Sequence, residues 1–405
     1  MYYSRIVSEK IQQLCRFFPV IILSGARQTG KTSLLKSLFP QHSYVSLDLP
    51  SMADLAERSP ERFLSEHPPP VIVDEVQYAP GLFRHLKHVV DQDRHAMGKF
   101  ILSGSQNFVL MKEVSDSLAG RCGLVELEAL SLAELGAPTS ASSGIIHLLA
   151  RGQMPELWRV PDFPAWDFHA SYMATYLERD VRQILHVASL RDFERFMRIL
   201  ASRSGAMLNK TDIAKDVGVS VKAVQDWLSV LSASGQVIIL EPWFANISKR
   251  IVKSPKVYFR DSGLLCFLLG LDESSLPSSS LLGAVWETFI FAEMRKLNPI
   301  LKRPVNFWYY RDQRAREIDF VVESGGRLSF LEAKWTERPD KSDAGTMVAI
   351  ADELSASGSS WKAGSRQVVC RTPSAFPLDG VTMALPPGGL KDMLMTAGPR
   401  LEGEK

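Results

Sequence analysis

The stretch from Gly25 to Thr32, GARQTGKT, limits what this chain can fold into more than any other. The apolar run Val20–Leu23 precedes it, and Ser33–Phe39, which has the composition of a helix, follows it. A buried strand, a glycine-rich turn and a helix in this order make a phosphate-binding loop, or P-loop, whose backbone N–H groups and helix N-terminus face phosphate oxygens. The stretch therefore predicts an α/β fold that binds a nucleotide.

Each position of the loop has a predicted role. Gly25 and Gly30 let the backbone curl without a side-chain clash. Lys31 would neutralise the β- and γ-phosphates, and Thr32 would offer its hydroxyl to Mg²⁺. We therefore predict that ATP and Mg²⁺ are the cofactors. The predicted nucleotide-binding residues are Gly25, Ala26, Arg27, Gln28, Thr29, Gly30, Lys31, Thr32 and Ser33.

The composition of the 405 residues, with 45% hydrophobic and 23% charged side chains, is that of a globular protein. A chain of this length predicts two to four domains. The formal net charge is only +2, so a nucleic-acid contact would need a local basic patch. No segment approaches the ~18 apolar residues that a membrane helix needs, and the start has no apolar signal core, so we expect a cytoplasmic protein without a membrane partner.

The cysteines are far apart and show no paired spacing, which indicates neither a zinc site nor a disulfide framework. They are Cys15, Cys122, Cys266 and Cys370.

A second apolar run, Val71–Val73, ends in the adjacent carboxylates of Asp74 and Glu75. At the tip of a strand, Asp74 would hold Mg²⁺ through its water shell, while Glu75 would polarise the water that attacks the γ-phosphate. At this distance after a P-loop, the pair predicts ATP hydrolysis rather than simple nucleotide binding.

Two further catalytic predictions concern single side chains. The predicted strand Lys99–Ser105 ends in small polar residues, and Ser105, with Ser103 next, is the predicted γ-phosphate sensor. The alternative for Ser105 is a helix cap. Arg121 is the predicted arginine finger, which would stabilise the transferring phosphoryl group of a neighbouring subunit, and a surface arginine is the equal alternative. A finger that acts in trans would require a homo-oligomer.

The motifs GARQTGKT, VIVDEVQ, FILSGSQN and SLAGR together resemble the AAA-superfamily ATPases of bacteria and archaea in which this module precedes a nuclease-related domain of unknown function. The resemblance implies a parallel sheet with helices on both faces, and the alternation of strands and helices independently supports it. Two stretches depart from the family pattern. Residues 103–105 are Ser-Gly-Ser instead of Thr-Gly-Ser, and residues 152–156 are GQMPE instead of Gly-Gly-aromatic-Pro-Glu.

Four domains follow from the sequence: an AAA-type P-loop ATPase domain at 1–130, a helical lid or connector at 131–190, a winged-helix-like domain at 191–270 and a nuclease-like domain at 281–400. In the connector, Arg179 or Arg182 on the helix Ala170–Leu185 would sense nucleotide, or would simply be solvated.

The winged-helix prediction rests on Lys210–Val217, a turn, Val221–Ser232 and two extended stretches that would form the wing. Such a domain would read DNA with its second helix or contact phosphate through basic residues near the wing, and a protein-contact module is the alternative. Lys222, Gln225 and Asp226 would lie on the exposed side of the second helix, where Asp226 would repel phosphate. The basic residues near the wing are Lys249, Arg250 and Lys253.

The last domain is predicted to be α/β and resembles the PD-(D/E)XK, or restriction-endonuclease-like, core. In that core an acid lies on a helix, here Glu287, an Asp lies on one strand, here Asp319, and Glu-x-Lys lies on the next, here Glu332 and Lys334. Strand alternation puts Glu332 and Lys334 on one face, and a paired strand can bring Asp319 beside them.

A divalent cation between Asp319 and Glu332 would relieve the repulsion of the two carboxylates. Lys334 would position or deprotonate the hydrolytic water, and Glu287 would complete the metal environment. The sequence thus predicts a Mg²⁺-dependent ATPase coupled to a nuclease-like domain that acts on DNA or docks to it. The alternative is a nucleotide-switched regulatory protein in which the same charges form a satisfied ion cluster and the domain only binds partners.

Overall fold

The computed structural model describes residues 3–105, 117–136, 142–177, 190–244, 254–356 and 361–397. The chain divides into two compact units. The first comprises the residues up to 130 together with 154–159 and 233–236. The second comprises residues 131–153, 160–232 and everything from 237 onward. The four domain ranges that the sequence predicts are finer than this division and stay predictions.

In its described part, the first unit is built on a five-stranded parallel sheet, as the sequence predicts. The strand order is β2-β3-β4-β1-β5. The strands are β1 Val20–Ser24, β2 Ser43–Ser46, β3 Val71–Asp74, β4 Phe100–Gly104 and β5 Cys122–Glu126. The helices are Ser8–Leu14, Lys31–Leu38, Pro50–Arg58, Pro60–Glu66, Leu82–Gln92 and Pro155–Arg159. Because the strands are parallel, their carboxyl ends share one edge, where α/β sheets bind ligands.

The central strands are apolar throughout because helices cover both of their faces. All four residues of the run Val20–Leu23 are at most 2% exposed, and Ile101 and Leu102 of β4 are fully buried. The spacing of apolar residues from Met52 to Glu66 predicts one continuous helix, and this prediction was wrong. Pro60 lacks the N–H that would continue the first helix, so the chain forms two helices that meet at Ser59.

The second unit begins with helices and a β-hairpin. The helices are Leu132–Leu135, Ser142–Arg151, Ala165–Tyr176, Leu190–Ala201, Lys210–Val217, Val221–Ala233 and Ser262–Leu269. The hairpin pairs β6, Val237–Leu240, with β7, Lys256–Phe259, in antiparallel register. Trp227 packs between Phe193 and Phe196, with ring centroids 5.3 Å from each. These are the elements expected of a winged helix, although that assignment stays a prediction.

The remainder of the second unit contains a six-stranded mixed sheet in the order β12-β13-β11-β10-β9-β8. The strands are β8 Asn306–Arg311, β9 Glu317–Ser324, β10 Arg327–Ala333, β11 Lys362–Val369, β12 Phe376–Pro377 and β13 Thr382–Leu385. The helices are Leu282–Leu297, Lys341–Ala356 and Leu390–Ala397. The tight turn between β9 and β10 uses Gly325 and Gly326, which both have positive φ.

The hairpin and the mixed sheet are joined by backbone hydrogen bonds. Immediately after β6, the N–H of Trp243 donates to the carbonyl of Tyr309 in β8 at 2.7 Å, and Tyr309 donates to Glu241 at 3.2 Å. The Trp243 side chain is 1% exposed within the core of the sheet. The hairpin and the six-stranded mixed sheet therefore belong to one packed structure.

The polar, proline-containing composition of residues 271–280 predicts a linker, but the segment is a packed turn. The Asp272 carboxylate accepts hydrogen bonds from the N–H groups of Ser274 and Ser275, and a short 3₁₀ helix follows at Leu276–Ser278 with Leu276 fully buried. No helix in the described ranges is long and apolar enough to cross a membrane.

Asp261 provides a test of how the second unit is held together. Its side chain is 3% exposed, accepts the N–H of Leu264 as the N-cap of helix Ser262–Leu269, and accepts the N–H of Gln153 at 2.8 Å. Asp261→Ala removes the cap and leaves a buried N–H unpaired, so we expect the free energy of unfolding to fall by about 2 to 4 kcal/mol.

Urea denaturation followed by tryptophan fluorescence measures this change, because all of the eight tryptophans except Trp158 lie in the second unit. The matched control is Asp226→Ala on the exposed side of helix Val221–Ala233, which should change stability by no more than about 0.5 kcal/mol. Equal effects of the two substitutions would contradict the structural role given to Asp261.

Candidate functional site

The P-loop begins where β1 ends, and its two glycines are needed for different reasons. Gly25 has a φ of 149°, and a Cβ at this position would lie 2.3 Å from the carbonyl oxygen of Leu127. Gly30 has a φ of 90°, a left-handed conformation, and directly precedes helix Lys31–Leu38. The backbone thus takes a path around the loop that residues with a Cβ would resist.

Lys31 lies inside the loop, with its side chain folded back over the backbone. Its Nζ donates to the carbonyl oxygens of Gly25 at 3.0 Å and Ala26 at 2.9 Å, and the residue is only 6% exposed. The Thr29 hydroxyl also donates to Ala26, at 2.9 Å. The loop therefore encloses a buried ammonium group at the N-terminus of a helix, an arrangement suited to phosphate.

Arg5 binds the backbone of the P-loop, a role that the sequence did not predict. Its Nη1 donates to the carbonyl oxygen of Thr29 at 2.8 Å, and its Nη2 donates to those of Glu128 at 2.6 Å and Ala129 at 3.2 Å. The residue is 7% exposed. A single arginine far from the motif carries no local sequence signal, so only the tertiary structure reveals this contact.

Asp74 lies at the end of β3, beside the first residues of the P-loop helix. Its Oδ2 accepts the hydroxyl of Thr32 at 2.6 Å and that of Tyr44 at 2.9 Å, while its Oδ1 accepts the hydroxyl of Ser103 at 2.5 Å. Burial and the Asp74 carboxylate raise the pKa of Tyr44 to about 12. The two predicted Mg²⁺ residues of this unit are thus in direct contact, and Tyr44 is a partner that the sequence analysis missed.

This arrangement fits Mg²⁺. The ion is usually held by one or two carboxylates together with water and substrate phosphate. Asp74 supplies one carboxylate, 4% exposed, and Thr32 supplies a neutral oxygen next to it.

Glu75 follows β3 in a left-handed conformation, with a φ of 55°. Such a conformation costs free energy in a residue with a side chain and is often found at functional sites. Its Oε2 accepts the amide of Gln77 at 2.5 Å and the hydroxyl of Ser105 at 3.3 Å. The predicted sensor Ser105 therefore lies against the predicted catalytic carboxylate. Gln77 is a further partner, present in the motif VIVDEVQ but given no role from the sequence.

Arg121 lies at the other edge of the sheet. It immediately precedes β5, whose Cys122 pairs with Val20 at the beginning of β1, whereas the P-loop follows the end of β1. Its Nε and Nη2 donate to the carboxylate of Asp91 at 2.7 and 3.0 Å. Arg121 is therefore separated from the P-loop of its own chain by the length of a strand.

Several predicted elements fall outside the described residues. These are most of the predicted helix Phe108–Leu118, the end of helix Ala170–Leu185 with Arg179 and Arg182, and the basic residues Lys249, Arg250 and Lys253.

In the second unit, three strands and one helix direct charged side chains into a single group, here called the carboxylate cluster. Alternate residues on a strand share a face, and each strand contributes such a pair. Strand β7 contributes Lys256 and Tyr258, β9 contributes Glu317 and Asp319, β10 and the residue after it contribute Glu332 and Lys334, and helix Leu282–Leu297 contributes Glu287.

Asp319, Glu332 and Lys334 meet where β9 and β10 separate. The last paired residues are Leu331 and Phe320, and beyond them Oδ2 of Asp319 accepts the N–H of Ala333 at 2.9 Å. Lys334 Nζ lies 2.8 Å from Glu332 Oε2. Burial, and then the charge of Asp319, raise the pKa of Glu332 to about 9. Burial disfavours the charged form of Lys334, but Asp319 and Glu332 outweigh it and raise the pKa of this lysine.

Glu287 has partners that the sequence analysis did not anticipate. Its Oε1 accepts the ammonium of Lys256 at 3.1 Å and the hydroxyl of Tyr258 at 2.5 Å. The same ammonium lies 2.5 Å from Glu317. Burial and Asp319 raise the pKa of Glu287 to about 7. The pKa of Lys256 is also raised, because Glu287, Asp319 and Glu317 together overcome the effect of its burial.

The donor set of the cluster fits a metal ion only in part. Within the described ranges, no group of three or more His, Cys, Asp or Glu side chains is placed to hold a metal ion. Asp319 and Glu332 still supply two neighbouring carboxylates, which is the number that Mg²⁺ commonly takes from a protein. Glu287, predicted to complete the metal environment, is instead bonded to Lys256 and Tyr258.

Family models match three consecutive parts of the chain. A family model described as a AAA domain matches residues 18–136. Two domains of unknown function, DUF8612 and DUF4143, match residues 142–275 and 282–387. The first unit therefore contains an AAA-type P-loop ATPase domain.

Similar solved structures include the Walker-type ATPase PABY2304 of Pyrococcus abyssi, with a TM-score of 0.45 and 16% identity, covering 66% of this chain and 96% of that one. The Holliday junction branch migration motor RuvB of Thermotoga maritima gives a TM-score of 0.29 and 17% identity, covering 58% and 89%. These overall similarities are low, and nothing about the function of this chain follows from them.

Relatives with much higher identity occur in mycobacteria. The uncharacterized proteins Rv2008c of Mycobacterium tuberculosis and Mb2031c of Mycobacterium bovis are each 32% identical to this chain over 386 residues, which is 94% of this chain and 82% of theirs. This chain, with its AAA domain, therefore belongs to the same protein family as these two mycobacterial proteins.

Proposed function

We propose that the protein hydrolyses ATP with the help of Mg²⁺. The observation that carries this proposal is the direct hydrogen bond between Thr32 and Asp74, with Glu75 as the next residue. It joins the two halves of an ATPase site at the carboxyl edge of the parallel sheet.

In this mechanism the backbone of the P-loop and Lys31 would bind the phosphates, and Thr32 and Asp74 would hold Mg²⁺. The metal supplies charge stabilisation at the phosphate oxygens. Glu75 orients the attacking water and accepts its proton, and Ser105 orients Glu75 through their hydrogen bond. Arg5 keeps the carbonyl of Thr29 in place and so preserves the shape of the loop.

We also propose that Arg121 acts in trans, as the finger of a neighbouring subunit in a homo-oligomer. Its position at the amino edge of the sheet argues against direct help to its own P-loop, and its side chain, 22% exposed, is partly accessible to another copy. In such an assembly Arg121 would leave Asp91 and approach the phosphate of the adjacent subunit.

For the second unit we propose a metal-dependent nuclease-like activity on DNA, coupled to the nucleotide state of the first. The convergence of Asp319, Glu332 and Lys334 supports this proposal, because it provides two carboxylates and an amine at one end of a sheet. Lys334 is 37% exposed, so a substrate can reach it. The exposed side of helix Val221–Ala233, with Lys222 and Gln225, offers a further surface for DNA.

The competing proposal is a docking domain that binds partners without cleaving them. The observation in its favour is the number of ion pairs already present in the cluster, since Lys334 and Lys256 both neutralise carboxylates there. The two proposals differ in whether DNA is cut.

The first prediction concerns Glu75. In Glu75→Gln the side chain keeps its shape but cannot accept a proton, so we expect ATP hydrolysis to fall at least about 100-fold with ATP affinity unchanged. Phosphate release and nucleotide binding are measured side by side. Glu61→Gln, on the exposed side of helix Pro60–Glu66, is the control and should keep full activity. Normal turnover in Glu75→Gln would remove Glu75 from the mechanism.

The second prediction concerns Arg121. If the finger acts in trans, turnover per chain rises with protein concentration, and Arg121→Ala lowers it by about three orders of magnitude. Arg94→Ala is a matched control, because Arg94 also contacts Asp91 but is much more exposed. Turnover per chain that is independent of concentration, together with normal activity of Arg121→Ala, would show that Arg121 is a surface arginine.

The third prediction concerns Lys334. Supercoiled and linear DNA are incubated with the protein and Mg²⁺ or Mn²⁺, with and without ATP. We expect cleavage by the wild type and by Lys391→Ala, a control on the exposed side of helix Leu390–Ala397, but not by Lys334→Ala. A wild-type protein that hydrolyses ATP and leaves both DNAs intact would favour the docking domain.

A further inference from the structure

Lys256 is a charged side chain in an interior position. It is 2% exposed, and its ammonium lies between Glu287, at 3.1 Å, and Glu317, at 2.5 Å. The ring centroid of Tyr309 lies 5.5 Å from the same nitrogen. A buried ammonium is stable only when acidic groups compensate its lost hydration. The hairpin strand β7 therefore places one permanent positive charge between two carboxylates of the cluster.

The ammonium of Lys256 has the role that a metal ion often has between neighbouring carboxylates. In sites that use two metals, each ion neutralises carboxylates that would otherwise repel one another. Here Lys256 does so for Glu287 and Glu317, and Arg311 adds a second positive charge at 2.5 Å from Glu317. A divalent ion at this end would have to displace an ammonium that is already bonded to both carboxylates.

The surroundings of Glu287 support the same conclusion. Its Oε1 accepts hydrogen bonds from both Lys256 and Tyr258. Its Oε2 lies against the backbone of Gly205, where a Cβ would approach to 3.4 Å. Glu287 is thus bonded to the hairpin and lies next to the turn that follows helix Leu190–Ala201.

The opposite end of the cluster differs. Lys334 pairs with Glu332 at 2.8 Å, and its side chain is 37% exposed, although Asp319 also interacts electrostatically with Lys256. Lys334 can move into solvent when an ion arrives, whereas Lys256 has no such route because it is enclosed. The two ends of the cluster therefore differ in their capacity to accept a metal ion.

We propose that Lys256 is a built-in cation that takes the place of a second metal ion at the Glu287–Glu317 end of the cluster, so that a single divalent ion binds at the Asp319–Glu332 end. This inference rests on the metal-dependent activity proposed above for the second unit. It makes Lys256 a positioning residue, and it assigns Glu287 to holding Lys256 rather than to ligating metal.

The test counts ions instead of measuring activity. Mn²⁺ is titrated into the nucleotide-free full-length protein, and bound ions are determined from the electron paramagnetic resonance of free Mn²⁺. Each count is compared with that of the double variant Asp319→Asn/Glu317→Gln in the same background, which removes a carboxylate from each end of the cluster, so that ions bound elsewhere cancel. We expect a difference of one ion for the wild type and one for Lys256→Arg, which keeps the charge. Lys256→Met leaves Glu287 and Glu317 without their ammonium, and we expect two ions.

A wild-type difference of two ions would overturn the inference and leave the metal-dependent activity standing. A difference of one ion in Lys256→Met, with unchanged affinity, would also overturn it. If no variant binds more ions than its double-variant reference, the proposed metal-dependent activity is wrong, and the inference falls with it. If circular dichroism shows that Lys256→Met does not fold, Lys256→Gln replaces it, and the wild-type count still decides between one ion and two.

Discussion

A carboxylate that is removed from water needs hydrogen-bond donors or a cation, and both candidate sites of this chain are organised by that requirement. At the P-loop, the partners of Asp74 are all neutral: the hydroxyls of Thr32, Tyr44 and Ser103 and the backbone N–H of Glu75. They satisfy the carboxylate without cancelling its charge, so a metal cation is still attracted. In the carboxylate cluster the partners include lysines, which cancel much of the charge. The Asp74 carboxylate therefore keeps its charge, whereas the charge of the carboxylate cluster is largely cancelled by its own lysines.

Strand geometry explains how the charges are brought together. In the parallel sheet, the carboxyl ends of β1, β3 and β4 lie at one edge, so three short polar stretches that are distant in sequence become neighbours. In the second unit, alternation along β7, β9 and β10 does the same with pairs of residues two apart. Apolar residues at the intervening positions, such as Val257, Ile318 and Ala333, keep the charged pairs on a single face.

The sequence predicted those parts of the sites that are written in contiguous motifs. GARQTGKT, the Asp74–Glu75 pair and Ser105 each follow an apolar strand, and the structure brings them together at one edge. Their catalytic roles stay predictions. Asp319, Glu332 and Lys334 could be paired because alternation is a local rule. Arg5, Tyr44 and Lys256 were missed because their contacts depend on packing between distant segments, which no local pattern encodes.

Secondary structure was misjudged for similar physical reasons. Helix Ser262–Leu269 was not predicted. It is buried on nearly all sides, so it lacks the polar face from which periodicity identifies a helix. The break at Pro60 was overlooked because apolar spacing continues across it.

The backbone hydrogen bonds between Trp243 and Tyr309 bear on how this protein can be divided. A fragment that begins at residue 281 would keep Glu287, Glu317, Asp319 and Glu332 but would lose Lys256, Tyr258 and the core side chain of Trp243. Four acidic groups would then share a partly buried space with too few cations. The hairpin and the mixed sheet thus form one packed structure, and a fragment that preserves it has to begin ahead of β6.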